Sequence, residues 1–323
     1  MQKLIIQIPC YNEEKTLPVT LKNIPRNIKG VDEVEILVID DGSTDQTVEV
    51  AKANGAHHIV KLTNNKGLAE GFLTGLNASL RLDADIIVNT DGDNQYNGAD
   101  IEKLIAPIVK GKADIVVGDR QVENIPHFSL AKKKLQHLGS WVVRQVSGTD
   151  IPDTTSGFRA FSREAALKIN VVSRFSYTLE TIIQAGKKNI AITHVPIGTN
   201  SKLRESRLFK NTFSYIKRSL ATIVRIYTMY EPIKTFFLIG GTIFSGGLFL
   251  SLRFLYFYLF TPHGGQGHIQ SLILAAVLFI VGFQVMVIGL LSDIIAANRR
   301  LIEDTLYRVK KLELNGNEKG SGN

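Results

Sequence analysis

Residues 84–96 read ADIIVNTDGDNQY, and this stretch decides how the rest of the chain is understood. Ile86, Ile87 and Val88 form a short β-branched run, the pattern of a buried strand. The run leads into Asp91-Gly92-Asp93, with Gln95 two residues further on. Gly92 permits a tight turn, so two carboxylates and an amide can converge beyond the C-terminal edge of the strand. Hard oxygen ligands in that place suit Mg²⁺ or Mn²⁺ holding a diphosphate. The same letters also spell an ordinary polar turn, and the rest of the sequence has to choose.

Around this stretch, residues 1–120 alternate strand-like and helix-like runs, which predicts an α/β domain with a mostly parallel sheet covered on both faces. The first strand, residues 4–8, is followed by Pro9-Cys10-Tyr11-Asn12-Glu13-Glu14, where Asn12 is expected to cap a helix. The second, residues 34–39, leads into Asp40-Asp41-Gly42-Ser43-Thr44-Asp45. There Ser43 and Gln46 have capping-box spacing for a helix ending near Asn54. A third strand is expected over 58–62, and Asn65-Lys66-Gly67 opens a helix to about Leu82. After the Asp91 strand come a helix over about 99–109 and a strand over 114–117 ending in Gly118-Asp119-Arg120. No GxGxxG follows the first strand and no GxxxxGK[ST] occurs, which argues against a dinucleotide fold and a P-loop enzyme.

Bulk properties narrow the class. The chain has 323 residues, one cysteine and a formal net charge of +8. One cysteine excludes an intramolecular disulfide framework and offers no zinc cluster. The basic excess suits nucleic acid, anionic lipid or phosphorylated substrates. Residues 1–8 enter a strand-like run with neither a basic leader nor a cleavage site, so no signal peptide is expected.

Residues 128–146 set Leu130, Leu135, Leu138, Trp141, Val142 and Val146 beside Lys132-Lys133-Lys134. A core-packing helix with a solvated basic face is one reading, and a helix near a membrane surface is the other. Asp153-Thr154-Thr155-Ser156-Gly157-Phe158-Arg159 follows, then a helix near 177–188 and a strand over 190–196. From Ser201 the chain is polar and basic. Residues 208–230 then place Phe213, Ile216, Leu220, Ile223 and Tyr227 at near-helical spacing among Lys210, Lys217, Arg218 and Arg225. That is a basic amphipathic helix suited to an anionic membrane surface.

Two apolar runs come next. Residues 235–252 carry no charge and can extend past Arg253 to about 257, and residues 269–291 carry none. About 20 helical residues cross a hydrocarbon core of about 30 Å, so both are long enough to span. The short link 261–268 makes them an antiparallel hairpin. Lys217, Arg218, Arg225 and Lys234 precede the first run, Arg299, Arg300 and Arg308 follow the second, and the link has no Lys or Arg. The positive-inside rule then predicts a multi-pass protein of the cell (inner) membrane, with the α/β domain cytoplasmic. Arg253 is expected to snorkel to the far interface. The resulting division is a catalytic domain (1–207), a juxtamembrane helix (208–232), a transmembrane hairpin (233–292) and a C-terminal helix with a disordered tail (293–323).

These residues support a family resemblance. Pro9-Cys10-Tyr11-Asn12-Glu13, Asp40–Asp45, Asp91-Gly92-Asp93-Asn94-Gln95, Gly118-Asp119-Arg120, Ser156-Gly157-Phe158-Arg159 and Ser201-Lys202-Leu203 occur in one order along the chain. That series resembles the family 2 glycosyltransferases of the dolichyl-phosphate mannose synthase group, and most of all bacterial polyprenyl-phosphate (bactoprenol) glucosyltransferases. The resemblance implies a GT-A fold and inverting transfer from a nucleotide sugar donor, UDP-glucose at family level, to a polyprenyl phosphate acceptor. By position, Pro9, Tyr11, Glu13 and Asp40 would surround the nucleobase and ribose, and Asp91, Asp93 and Gln95 would meet metal and diphosphate. Arg120 and Lys202, with Arg204 or Arg207, would face phosphate. Asp153 falls where the family places an acid near the reaction centre. An acceptor phosphate is already ionised, so an orienting or electrostatic role suits Asp153 better than that of a base.

Other classes fit less well. A sugar nucleotidyltransferase would show a Gly-rich loop where Pro-Cys-Tyr-Asn-Glu stands. A membrane-anchored binding or scaffold subunit of a glycolipid flippase would have no use for Asp91, Asp93 and Arg120 together. A transferase of the same group using mannose from GDP-mannose stays open. Nucleic acid is disfavoured because the charge gathers beside apolar spans. Gly240, Gly241, Gly246 and Gly247 could pack against copies of the chain to make a homo-oligomer.

Overall fold

A computed structural model describes residues 2–121, 130–173, 177–201, 212–261 and 269–320. The chain divides into two units, Met1–Ile223 with Leu306–Asn323, and Val224–Thr305.

The first unit is organised by a sheet of seven strands: β1 (Lys3–Cys10), β2 (Glu33–Asp40), β3 (His58–Lys61), β4 (Ile86–Asn89), β5 (Ile115–Asp119), β6 (Arg159–Ser162) and β7 (Ile192–Pro196). Their order in space is β3-β2-β1-β4-β6-β5-β7. Every neighbouring pair is parallel except those of β6, which runs antiparallel between β4 and β5. The inner parallel strands are buried on both faces, which is why they read as continuous aliphatic runs without alternation; Leu4, Ile5, Ile6 and Ile8 are all fully buried, while the edge strands β3 and β7 are only partly covered. On one face the core takes Leu17 and Leu21 of α1 (Leu17–Asn23), Ala51 of α2 (Thr47–Ala53) and Leu104 of α4 (Ile101–Val109). The opposite face takes Phe72 and Leu76 of α3 (Leu68–Arg81), Leu167 of α6 (Arg163–Lys168) and Tyr177 of α7 (Tyr177–Lys187). Helix α5 (Leu130–Ser147) packs beside α7.

Two expected caps take other work. Asn12 has a left-handed backbone (φ 56°), and its side-chain oxygen accepts from Thr44 N at 2.8 Å. Ser43 Oγ accepts from Asn12 N at 2.9 Å, and α2 begins only at Thr47. The two loops thus tie each other together across the β1–β2 edge, which satisfies the same polar groups that a helix end would have used. The helix after Asn65-Lys66-Gly67 is opened by Asp41, whose carboxylate accepts from Lys66 N (2.7 Å) and Gly67 N (2.9 Å). The sequence reading held neither β6 nor α6.

Helix α8 spans Thr212–Tyr230, followed by α9 (Pro232–Phe260) and α10 (Ile269–Gly320). In the second unit α9 and α10 form the expected antiparallel hairpin. A Cβ on Gly240 would stand 2.7 Å from Gly282 O, and one on Gly247 would stand 3.0 Å from Ala275 O. Two of the four glycines held for self-association are thus spent on helix–helix contact inside the chain, while Gly241 has nothing within 4 Å. Both helices are long and apolar enough to cross a membrane, and only 11% and 17% of their most apolar windows are buried. A helix buried in a soluble core would hide most of that surface.

The end of the 293–323 segment departs from the expected disordered tail. Helix α10 continues to Gly320, and Leu314 joins the α3–α6 side of the core. Tyr307 Oη donates to Glu164 at 2.9 Å, and Arg81 pairs with Glu313 at 3.0 Å. One apolar side chain and two polar clasps a turn or two apart are enough to order a segment whose composition alone looks unstructured.

Candidate active site

The strand ends collect the residues that the motifs single out. Cys10 is in register with Asp40, and Gln7 with Asn89, so the residues after β1, β2 and β4 emerge side by side at one edge. β5 delivers Arg120 to the same edge. Antiparallel β6 starts there, which brings Gly157 and Phe158 beside the end of β4.

Asp91 and Asp93 are both partly buried on the loop after β4. Gly92 is not in the left-handed region; the left-handed turn falls to Asn94 (φ 57°). What Gly92 supplies is room, because a Cβ there would lie 3.0 Å from Cys10 Sγ and 3.4 Å from Glu13 Cγ. Gly157 does the same from the other side: its Cβ would stand 3.3 and 3.4 Å from the two Asp91 oxygens. Asp93 Oδ1 accepts from Gln95 N at 3.1 Å, which orients the second carboxylate. Among the described residues no three His, Cys, Asp or Glu side chains form a metal cage. Mg²⁺ and similar ions commonly take one or two carboxylates plus substrate phosphates, so the Asp91–Asp93 pair fits such an ion together with a diphosphate.

The loop is braced from three directions. Asn23 Nδ2 donates to Asn94 Oδ1 at 3.0 Å. Asn200 donates from its backbone to Gln95 O (2.9 Å) and from its side chain to Asn94 O (3.0 Å) and Tyr96 O (3.1 Å). Tyr96 stacks on Phe158 at 5.1 Å, and its hydroxyl accepts from Gly157 N at 2.9 Å. Burial, and then the Asp91 charge, pushes the Tyr96 hydroxyl up to about 12, so it stays protonated. Behind the loop, Gln7 donates to Asn89 (2.8 Å), and Asn89 donates to Gly157 O and Tyr177 Oη (both 2.9 Å).

Arg120 and Asp153 meet directly. Nε donates to Oδ2 at 2.7 Å and one Nη to Oδ1 at 2.9 Å, with the two side chains 10% and 1% exposed. That Nη also donates to Thr155 Oγ1 at 2.7 Å, and Gln136 of α5 reaches Thr155 Oγ1 at 2.8 Å and Asp153 Oδ1 at 3.3 Å. Burial alone would raise the Asp153 carboxyl; the Arg120 charge and hydrogen bonds outweigh it and hold the group below its ordinary value. Burial alone would lower Arg120, and Asp153 more than reverses that.

Arg159 has a different task. It is fully buried and donates to Ser156 O (2.8 Å), Thr178 O (2.7 Å) and Thr154 O (3.0 Å). Desolvation lowers its guanidinium to about 10. It pins the 153–158 segment to α7 through carbonyls, so the fourth residue of Ser-Gly-Phe-Arg is a structural clamp. At the other end of the edge, Asp40 is fully buried. Its Oδ1 accepts from Ser43 N at 3.0 Å, and its Oδ2 has no partner among the described residues. Glu13, 6% exposed, takes the Thr16 hydroxyl, and Tyr11 stands 40% exposed.

Residues 5–169 match the model of a known family, described as glycosyl transferase family 2. The chain belongs to glycosyl transferase family 2. Among family relatives, it is 32% identical over 214 residues to the UDP-N-acetylglucosamine–dolichyl-phosphate N-acetylglucosaminyltransferase of Methanococcus voltae, covering 59% of this chain and 83% of that one. It is 28% identical over 270 residues to the dolichol-phosphate mannosyltransferase of Pyrococcus furiosus, covering 79% and 72%. The fold matches glucosyl-3-phosphoglycerate synthase from Mycobacterium tuberculosis, crystallised with Mn²⁺, UDP-glucose and phosphoglyceric acid. The TM-score is 0.54 at 20% identity, over 70% of this chain and 80% of that one. The sheet is therefore the expected GT-A arrangement, and the protein is a glycosyltransferase.

The family 2 domain brings Pro9, Tyr11, Glu13, Asp40, Asp91, Asp93, Gln95, Arg120 and Asp153 to one sheet edge. Lys202, Arg204 and Arg207 lie outside the described residues. Asn200, which clasps the Asp91–Tyr96 loop, precedes Lys202 by two positions. Sequence reasoning missed Tyr96, Gln136, Thr155, Asn89 and Tyr177. Of these only Tyr96 carried a signal, as the aromatic closing the Asp-Gly-Asp-Asn-Gln run.

Proposed function

We propose that the chain transfers a sugar, with inversion, from a nucleotide sugar to the phosphate of a membrane polyprenyl phosphate. The observation that carries this is one polypeptide joining a family 2 strand-end carboxylate pair to two long helices whose apolar surface is bare. Relatives named for dolichyl-phosphate acceptors support the same substrate class.

In this reading Asp91 and Asp93 would hold Mg²⁺ or Mn²⁺ together with the donor diphosphate. Such an ion, when bound, supplies Lewis-acid stabilisation of the departing nucleoside diphosphate. Pro9, Tyr11, Glu13 and Asp40 take the nucleoside. The unpartnered Asp40 oxygen is a buried acceptor that an incoming N–H would satisfy. Asp153 positions Arg120: with Nε and one Nη committed, the other Nη has no hydrogen-bond partner among the described residues and is proposed to meet phosphate. A carboxylate held ionised by Arg120 is a poor proton acceptor near neutrality, and an ionised acceptor phosphate needs none. Lys202, with Arg204 or Arg207, screens the acceptor phosphate as it approaches the diphosphate. The proposed placement of the catalytic unit on the cytoplasmic side of the cell membrane is supported by the basic residues that flank α9 and α10.

UDP-glucose is the proposed donor, supported by the fold match to a UDP-glucose complex. Mannose from GDP-mannose is the second reading, favoured by the mannosyltransferase relative. The test is incubation of purified protein, Mg²⁺ and polyprenyl phosphate with a panel of radiolabelled nucleotide sugars. Label from one donor should enter the lipid phase, and label staying in water with every donor would refute the proposal.

A further inference from the structure

Helix α5 has two dissimilar faces. The inward face bonds to the active-site edge through Gln136 and, further along, through Ser140, whose hydroxyl lies 3.1 Å from Thr154 Oγ1; Val143 is fully buried. On the outward face Leu138 is 57% and Trp141 51% exposed, three residues apart and so on one side of the helix. Water-facing Leu and Trp at that spacing gain nothing from the fold of the first unit. Charge points to what covers them. Within α5 the sequence carries Lys132, Lys133, Lys134 and Arg144 and no Asp or Glu; Arg144 pairs with Asp150 at 3.6 Å, so the surplus positive charge lies with the three lysines. Lys134 precedes Leu138 by about one helical turn. An aromatic and an aliphatic side chain set in an acid-free, lysine-rich helix is the composition that binds an anionic bilayer interface, with the indole at headgroup level.

We infer that the Leu138–Trp141 face of α5 docks on an anionic phospholipid surface, a membrane contact separate from the spanning helices. α5 would then carry that contact inward through Gln136 to Asp153 and Arg120. The inference rests on α9 and α10 crossing the membrane, which keeps the unit near lipid, and not on the transfer reaction.

Trp141 is the sole tryptophan of the chain, so its emission reports this face alone. The full chain is reconstituted without substrate in nanodiscs of phosphatidylcholine, with or without phosphatidylglycerol, the acyl chains brominated in each. In the anionic discs Trp141 should emit to the blue and be quenched by bromine, and in neutral discs it should be quenched less. A basic residue near such a surface is worth about fivefold in partition. Lys134→Gln should therefore cut the docked-to-undocked ratio about fivefold. Leu138→Glu, at an exposed position, should abolish quenching with the helical circular dichroism unchanged. An unquenched, water-like Trp141 in both discs would overturn the inference. So would a blue shift that grows with protein concentration in detergent and resists bromine, because a second copy would then cover the face.

Discussion

Replacing Asp153 by Asn removes one negative charge from a site where the fold keeps Arg120 out of water. The pair is bidentate at 2.7 and 2.9 Å, with side-chain exposures of 10% and 1%. Breaking a buried ion pair from one side costs about 3–5 kcal/mol, because the remaining charge is left uncompensated. For a unit of this size each kcal/mol moves the melting point by about 2–4 °C, so Asp153→Asn should melt about 6–20 °C lower. Thermal unfolding of the detergent-solubilised chain, followed by Trp141 emission, reads this directly, since α5 carries both Trp141 and Gln136. The pH dependence has a definite sign. The folded Asp153 carboxyl lies below its ordinary value, so the unfolded chain binds more protons in the interval between the two. Its stabilisation is present above the unfolded value of about 3.9 and disappears as pH falls through the folded one. Wild type should lose stability there, and Asp153→Asn should lose less. A melting point within about 2 °C of wild type, with the same acid limb, would refute a buried and mutually dependent pair.

Three further outcomes are expected. Asp93→Ala should lower transfer on the order of a hundredfold or more with the fold intact, and full wild-type activity in EDTA would remove the metal from the account. A reporter placed within residues 262–268 should be extracytoplasmic and one at the C-terminus cytoplasmic; protease protection showing the loop inside would reverse the topology. Lys202→Ala or Arg204→Ala should weaken polyprenyl phosphate binding in detergent about ten- to hundredfold and leave nucleoside diphosphate binding unchanged. Loss of both affinities together would move these residues to the donor.

The sequence carried what local chemistry writes into it. Aliphatic runs marked the strands of a parallel sheet, and their termini marked the edge where Asp40, Asp91 and Arg120 stand. Arg120 and Asp153 were each named, but their pairing was not legible. The two are far apart in the chain and meet only because β6 inserts antiparallel between β4 and β5. A short strand such as β6, opening on a buried arginine, lacks the alternation that identifies strands. Asn12 and Ser43 fit helix caps by local spacing and do not cap for a related reason: a local rule offers a short polar side chain one partner, and the fold offers a better one across the sheet edge. The ordered end of α10 rests on Leu314, Tyr307 and Glu313, whose partners lie on α3, on α6 and in the core beneath them. No composition argument sees those partners.

Inverting transfer to a lipid phosphate is tested most directly on the product itself. Purified chain, Mg²⁺, polyprenyl phosphate and the donor that labels the lipid phase would yield enough product for mass spectrometry and for assignment of the anomeric linkage. The product should be a polyprenyl phosphate bearing a single sugar, joined through phosphate, with the anomeric configuration opposite to that of the donor. A product with retained configuration, or sugar found only on a water-soluble acceptor, would contradict it.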